Sequence, residues 1–335
     1  MKRLLIFVAV ALTVLTGCAF KSEANRQVNV YSARNYDVDK DMFAAFEAET
    51  GIKVNLIEGK GDELLERINR EKADSVADVF LTVGAEHIFF AQQNDLLQDL
   101  NTSAISNFMI ENLYGKNWVA ITRRARVIVY DKTRITNPTI QRYEDLMNAQ
   151  YNGKLLVRSA TSSYNIALLA AMIQREGIEK ATAWAAGIVN NFARTPTGND
   201  RDQAKSAVAG LGDYAIMNTY YITTMSVSSD AEEVSVAAKL GVIYPKNTHV
   251  NISWAAIVKG SKNSAEAQQL IEYLLAKQQQ TIYTQQNGEF PIRDDVAPSD
   301  LIQSWGSFET EDIDYEQLGS FVIEAVKIFD QVKWQ

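Results

Sequence analysis

The run WVAITRRARVIVY, Trp118 to Tyr130, is long, rich in β-branched residues and carries three arginines. It reads as a strand that crosses from one lobe of a protein to another. A second long run, His249 to Val258, reads as a strand that crosses back. Upstream of the first crossing, Val28–Tyr31, Lys53–Ile57 and Ala77–Val83 have strand patterns. Between them Asp39–Glu49 is helical, with Met42, Phe43 and Phe46 on one face and Gly51 as its C-cap. Further helices begin near Asp62, with Leu64, Leu65 and Ile68 as the apolar stripe, and near Ala85. Downstream, a second series has a strand at Lys154–Val157, a helix after Tyr164, helices at Ala181–Val189 and Asp200–Ala209, and a strand at Tyr214. The C-terminal part is helical from Ala265 through Gln280 and from Tyr315 to Val332, with breaks at Gly288 and Pro291. This alternation predicts an α/β protein with helices on the faces of its sheets.

The ends and the composition narrow the function. Met1-Lys2-Arg3 precedes the apolar run Leu4–Val14 and then Leu15-Thr16-Gly17-Cys18. A short basic region and a short apolar core make an export signal, because the core is too short to span a membrane. Leu-Thr-Gly-Cys matches the bacterial lipobox, which predicts cleavage after residue 17 and a lipid on Cys18, the only cysteine of the chain. Residues 18–27 read as a tether. The 335 residues carry 33 Lys+Arg against 41 Asp+Glu. Loss of residues 1–17 removes Lys2 and Arg3, leaving 31 basic against 41 acidic side chains and a net charge of −10. So acidic a chain is unsuited to nucleic acid. Without a second cysteine there is no disulfide, thiolate metal site or cysteine nucleophile. Two histidines, His87 and His249, leave little for a zinc enzyme or a Ser-His-Asp hydrolase. A mature length of about 318 residues predicts two domains.

Tyr220 and Tyr221 stand side by side after the run Gly212–Thr219, which reads as a buried strand ending at the pair. Tyr36 and Tyr164 also sit at the ends of strand patterns. Phenolate oxygen is a hard, anionic ligand suited to a hard trivalent cation. A tyrosine doublet more often packs half-buried with its hydroxyls hydrogen-bonded, so the pair alone does not decide.

The order of segments resembles the extracytoplasmic substrate-binding proteins of bacterial ABC importers, and more closely their ferric-iron-binding branch. The residues that carry the resemblance are VNVYSARNYD (28–37), AFEAETGIKVNLIEGKGDELLERI (45–68), ADVFLTV (77–83), RARVIVYDK (124–132), YNGKLLVRSATSSYN (151–165), NNFARTPTGND (190–200), GDYAIMNTYY (212–221) and HVNIS (249–253). The resemblance implies a two-lobed, type II periplasmic-binding-protein fold. Each lobe is then a mixed sheet flanked by helices, joined by the two crossing strands. It places 28–123 with 254–305 in the first lobe and 124–253 with 306–335 in the second. It implies Fe³⁺ held in the inter-lobe cleft by Tyr36, Tyr164, Tyr220 and Tyr221. The protein is then a non-enzymatic, monomeric receptor in the periplasm or cell envelope, anchored to the membrane by lipid and serving an ABC permease and its ATPase.

Three positions depart from the family pattern. Asn35 stands where a histidine often precedes the first tyrosine, and Thr224 where some members have a charge-balancing arginine. Trp254, Ala255 and Ala256 replace glycines after HVNIS. Glu58 is a weaker candidate ligand, better read as a solvated strand-end carboxylate. His87 reads as a surface or boundary residue, and His249 as a hydrogen-bonded hinge residue. Arg34, Arg124, Arg126 and Arg158 read as surface or inter-lobe ion pairs with a capacity for outer charge. Asn199 and Asp200 read as a helix N-cap, and Gly59-Lys60-Gly61 lacks a full phosphate-binding pattern. The alternative function is capture of a small organic anion, such as a phosphonate or sugar phosphate, by arginines and loop amides on the same fold.

Overall fold

The computed structural model describes residues 26–335. The export signal, Cys18 and the tether up to residue 25 lie outside the described residues. Arg26 and Gln27 already belong to the fold. Arg26 donates to Glu266 at 3.2 Å and to Gln269 at 3.0 Å, and Gln27 opens the first strand.

The chain begins with β1 (Gln27–Ser32), α1 (Asp37–Thr50), β2 (Lys53–Glu58), α2 (Gly61–Glu71), β3 (Val79–Thr82) and α3 (Ala85–Gln93). The long strand β4 (Val119–Asp131) follows. Next come β5 (Leu155–Leu156), α4 (Ser163–Glu176), α5 (Ile178–Asn190), α6 (Asp200–Val208), β6 (Tyr214–Asn218), α7 (Thr219–Ser226), α8 (Ala231–Lys239), β7 (Leu240–Ile243) and β8 (Val250–Ile257). The chain closes with α9 (Ser264–Leu275), α10 (Lys277–Gln286), α11 (Asp300–Ser304), α12 (Tyr315–Leu318) and α13 (Val322–Gln331).

The strands run in the order β2-β1-β3-β8-β4-β6-β5, with β7 also on β4. β1 pairs in parallel with β2 and β3, while β8 is antiparallel to both β3 and β4. On the far side β5 and β6 are parallel and both β6 and β7 are antiparallel to β4. Both halves are therefore mixed sheets. β4 belongs to each: residues 119–125 pair with β8, and 126–131 with β6 and β7. The change of partner falls between Ala125 and Arg126, within the cluster Arg123, Arg124 and Arg126.

Local rules account for most elements. On α1 the buried residues include Met42, Phe43 and Phe46, and Gly51 takes the left-handed conformation at φ 70°, donating to the Glu47 carbonyl. On α2, Leu64 and Ile68 face the core. Every residue of β8 and of β6 is buried, as strands covered on both faces must be.

Three differences from the sequence expectation have local causes. The helix expected from Ala265 to Gln280 breaks at Ala276, which is extended at ψ 151° and starts α10. The helix expected from Tyr315 to Val332 tightens to a 3-10 turn over Gly319–Phe321 between α12 and α13, and Gly319 packs close against α3. A Cβ there would lie 2.4 Å from the Phe89 Cβ and 2.8 Å from the Ala85 carbonyl oxygen. α8 and β7 were not anticipated; β7 is four residues long and offers too little alternation to read.

Candidate metal centre

The tyrosine pair follows the end of β6, as expected, and all four tyrosines lie at helix N-termini, which was not expected. Tyr36 has extended backbone and immediately precedes α1. Tyr164 is the second residue of α4. Tyr220 and Tyr221 are the second and third residues of α7, which starts as soon as β6 ends. Each of the four is therefore carried in, or immediately before, the first turn of a helix.

These residues come together. The Tyr36 and Tyr220 ring centroids are 5.8 Å apart at 71°, and those of Tyr220 and Tyr221 are 4.1 Å apart at 35°. Tyr164 and Tyr220 are buried. Arg124 Nη1 donates to the Tyr36 hydroxyl at 3.2 Å. The Arg124, Arg126 and Arg158 guanidiniums lie 5.9, 5.7 and 5.5 Å from the Tyr164 ring centroid. Tyr36, Tyr220 and Tyr221 also border a cleft of about 470 Å³, with Asn35, Arg201 and Thr224 on its walls.

Burial, and after it the neighbouring Tyr164 phenol, pushes the Tyr36 pKa up. Burial pushes Tyr220 well above its ordinary value, followed by Tyr164, Tyr36 and Tyr221. Tyr221 is raised by burial, then by Tyr164 and Asp200. Each of these three phenols is therefore neutral at pH 7 until something displaces its proton. A highly charged cation does that, and no cluster of three or more His, Cys, Asp or Glu suited to a metal occurs among the described residues.

The surrounding arginines are not surface groups. Arg34, Arg124 and Arg126 are fully buried and Arg158 is half-buried. Arg34 pairs with Asp39 at 2.8 Å and with Glu289 at 3.0 Å. Glu289 also accepts from Thr122 at 2.6 Å and Asn287 at 2.8 Å, and lies 3.6 Å from Arg124 Nε. Arg126 and Arg158 share Asp200, at 2.8 and 3.4 Å. Burial alone would raise the Glu289 pKa, but Arg34 and Arg124 hold it below the ordinary carboxylate value. The three carboxylates of this network, Asp39, Glu289 and Asp200, were not foreseen as ion-pair partners. Asn199 does cap α6, with its side chain accepting from the Arg201 and Asp202 amides. Asp200 beside it is instead a buried ion-pair carboxylate.

Gly288 sets the approach of this network to the tyrosine pair. It has φ 65°, and a Cβ there would lie 2.3 Å from the Thr223 Cβ on α7. Gly288→Ala is expected to cost about 1–3 kcal/mol, from left-handed strain and overpacking together. Equilibrium urea denaturation checks this; an unchanged midpoint would contradict the close approach.

The remaining candidates lie elsewhere. His87 is buried, 2.6 Å from the Thr82 hydroxyl and 2.9 Å from Asp62. His249 is buried at the start of β8, hydrogen-bonded through Nδ1 to Glu311. Glu58 is 3.4 Å from Lys40 and does not line the cleft. Thr224 accepts from Arg201 Nη2 at 3.2 Å and donates to the Tyr221 carbonyl at 3.1 Å. Trp254 packs edge-on against Trp118 at 4.6 Å, which explains why that position is not glycine here.

Comparison with known proteins identifies the family and the fold. The model of the bacterial extracellular solute-binding protein family matches residues 41–310. Iron uptake protein A1 of Synechocystis is 34% identical, over 100% of this chain and 98% of that protein. Among solved structures, the ferric binding protein of Campylobacter jejuni is 39% identical with a TM-score of 0.86, covering 92% of this chain and 100% of its own. The Trichodesmium protein solved with iron and citrate ligands is 39% identical with a TM-score of 0.87 and the same coverage. The two mixed sheets joined through β4 are thus the type II binding-protein fold, and the chain belongs to the bacterial extracellular solute-binding protein family, whose members bind rather than transform their solutes.

Proposed function

We propose that this chain is the ferric-iron receptor of an ABC importer, with Tyr36, Tyr164, Tyr220 and Tyr221 as tyrosinate ligands. The observation that carries this reading is the meeting of four phenols at helix N-termini, beside a cluster of buried arginines. Charge supports it. Arg34, Arg124, Arg126 and Arg158 face Asp39, Glu289 and Asp200, an excess of one positive charge. Fe³⁺ with four phenolates carries one negative charge, so the assembled site is balanced. The relatives named for iron uptake and ferric binding support the same cargo.

The organic-anion alternative needs arginines free to hold a ligand. Arg34, Arg126 and Arg158 are instead paired with the chain's own carboxylates, Arg124 donates to Tyr36 at 3.2 Å and Ser253 at 2.8 Å, and Arg201 on the cleft wall is paired with Glu233 at 2.5 Å. In the proposed cycle the second lobe captures iron through Tyr164, Tyr220 and Tyr221, and the first lobe closes with Tyr36. Bending falls near Arg124–Val129 and Asn251–Ala255, since ligands from both lobes gain contacts only in the closed state. The receptor is monomeric, held in the cell envelope by a lipid on Cys18, and hands iron to the permease and its ATPase.

Adding ferric iron to the apo protein is expected to produce a phenolate-to-iron charge-transfer colour and equimolar bound iron by metal analysis. A colourless protein that binds 2-aminoethylphosphonate instead would favour the alternative.

A further inference from the structure

Side chains alternate across β4. Thr122 and Arg124 turn towards the tyrosines, where Thr122 donates to Glu289 at 2.6 Å and Arg124 to Ser253 at 2.8 Å. Arg123, between them, turns to the opposite face, and so does Phe290 beside Glu289. The Arg123 and Phe290 backbones hold each other, N–H to carbonyl, at 3.0 and 2.7 Å. The two side chains open onto a cavity of about 480 Å³, walled also by Ile302, Ser307, Phe308 and Thr310. None of the four tyrosines lines it. Phe290 and Ile302 are buried, and Phe290 meets Phe308 edge-on, 5.2 Å apart at 82°. The volume falls in the range of small-molecule sites, about 300–1,000 Å³.

Arg123 differs from the other arginines of this strand. Arg126 has Asp200, and Arg124 has Glu289 within 3.6 Å. Among the described residues the Arg123 side chain donates one hydrogen bond, from Nε to the Pro291 carbonyl at 3.0 Å, and makes no ion pair. Burial pulls its pKa down to about 10, and only the Tyr315 phenol acts in the opposite direction. A guanidinium drawn out of water without a carboxylate is costly, and its fork of donors matches a carboxylate in bidentate fashion. We infer that this cavity is a second ligand site, separate from the iron centre, for a small monocarboxylate with an apolar body. The carboxylate pairs with Arg123, and the body lies against Phe290, Ile302 and Phe308. One guanidinium balances one negative charge, whereas a phosphate dianion would leave a charge uncompensated. The apolar walls reward a hydrocarbon body and give an inorganic anion nothing.

Isothermal titration calorimetry of the iron-free protein with benzoate tests this. Benzoate is expected to occupy one site with a Kd of about 1 mM or below. Benzamide has the same ring without the charge and is expected to bind at least ~10-fold more weakly, the scale of a hydrogen bond to a charged group. Inorganic phosphate is expected to bind no better than benzamide. Arg123→Gln is expected to cost benzoate at least ~10-fold in affinity. Ser307→Trp fills the cavity from an exposed position and is expected to block benzoate with the urea midpoint unchanged. If Arg123→Gln fails to fold, Ser307→Trp decides: blocked benzoate supports the site, and wild-type affinity overturns it. Absence of benzoate binding to wild type at ~10 mM overturns the inference. Equal affinity for benzamide or phosphate also overturns it, as does benzoate binding that survives Arg123→Gln in a folded protein. The tyrosine centre is read separately, by its ferric colour, and stands or falls without these results.

Discussion

Tyr220→Phe and Tyr221→Phe are each expected to shift or bleach the ferric colour and to lower iron affinity by at least ~100-fold. Loss of a partner that merely hydrogen-bonds a metal ligand costs ~10–100-fold, so loss of the ligand itself sets that range as a floor. The fold should hardly notice. Tyr220 is buried, but phenylalanine fills the same volume, and no large side chain has to move. Tyr36→Phe is a less clean experiment. It leaves Arg124 Nη1 without its 3.2 Å partner, and an unpaired buried donor costs ~1–3 kcal/mol before iron is considered. In the proposed cycle Tyr36→Phe also impairs closure more than initial capture, because Tyr36 is the first lobe's only ligand. Chelator competition with far-UV circular dichroism in parallel separates these effects. Wild-type colour and affinity in both members of the tyrosine-pair series would remove the pair from the site.

Most of what positions the site was legible because it follows from short-range pattern. The β-branched run from Trp118 to Tyr130 gave the crossing strand within one residue of β4. The strand-then-tyrosine pattern placed Tyr220 and Tyr221 at the end of β6. What that pattern could not express was the immediate onset of α7, since the sequence TYYITTMS has no N-cap hydrogen bond to announce a helix. The outer network was illegible for a different reason. Arg126 finds Asp200 across 74 residues and Arg34 finds Glu289 across 255, and no local rule links such pairs. Asp200 was further masked by Asn199, whose capping signal is genuine and accounts for the dipeptide on its own. Glu289 follows a glycine in a turn-like context, where a carboxylate reads as solvated. An arginine in a strand reads as exposed unless its carboxylate is known, so Arg124 and Arg126 could be placed on β4 but not inside the protein.

Iron is expected to leave steeply on mild acidification, without prior unfolding. Tyr36, Tyr220 and Tyr221 have pKa values raised by burial first, so the apo protein holds them protonated at neutral pH. Each tyrosine that binds iron must release its proton, and affinity therefore falls as pH falls. Well below a phenol pKa near ~10, each contributes about one unit of log K per pH unit, and four ligands give a limiting slope of about four. Asn35 adds no proton-linked step, whereas a histidine in its place would titrate near ~6.5. Folding responds in other windows. A raised phenol pKa gives stability that is complete below the unfolded value near ~10 and is lost as pH rises through the folded value, so these tyrosines weaken the apo protein only in alkali. Glu289 has the opposite sign. Its lowered pKa gives stability that is complete above the ordinary value of 4.5 and is lost as pH falls through the folded value. Between that limit and neutrality, neither the phenols nor Glu289 drive unfolding, while the cumulative proton competition for iron grows with every step down. A competition titration against a chelator of known pH dependence, with circular dichroism recorded at each pH, tests this. A corrected slope near zero would rule out phenolate ligation; a slope near three would mean that one of the four tyrosines stays protonated, and the Phe variant that leaves the slope unchanged would identify it.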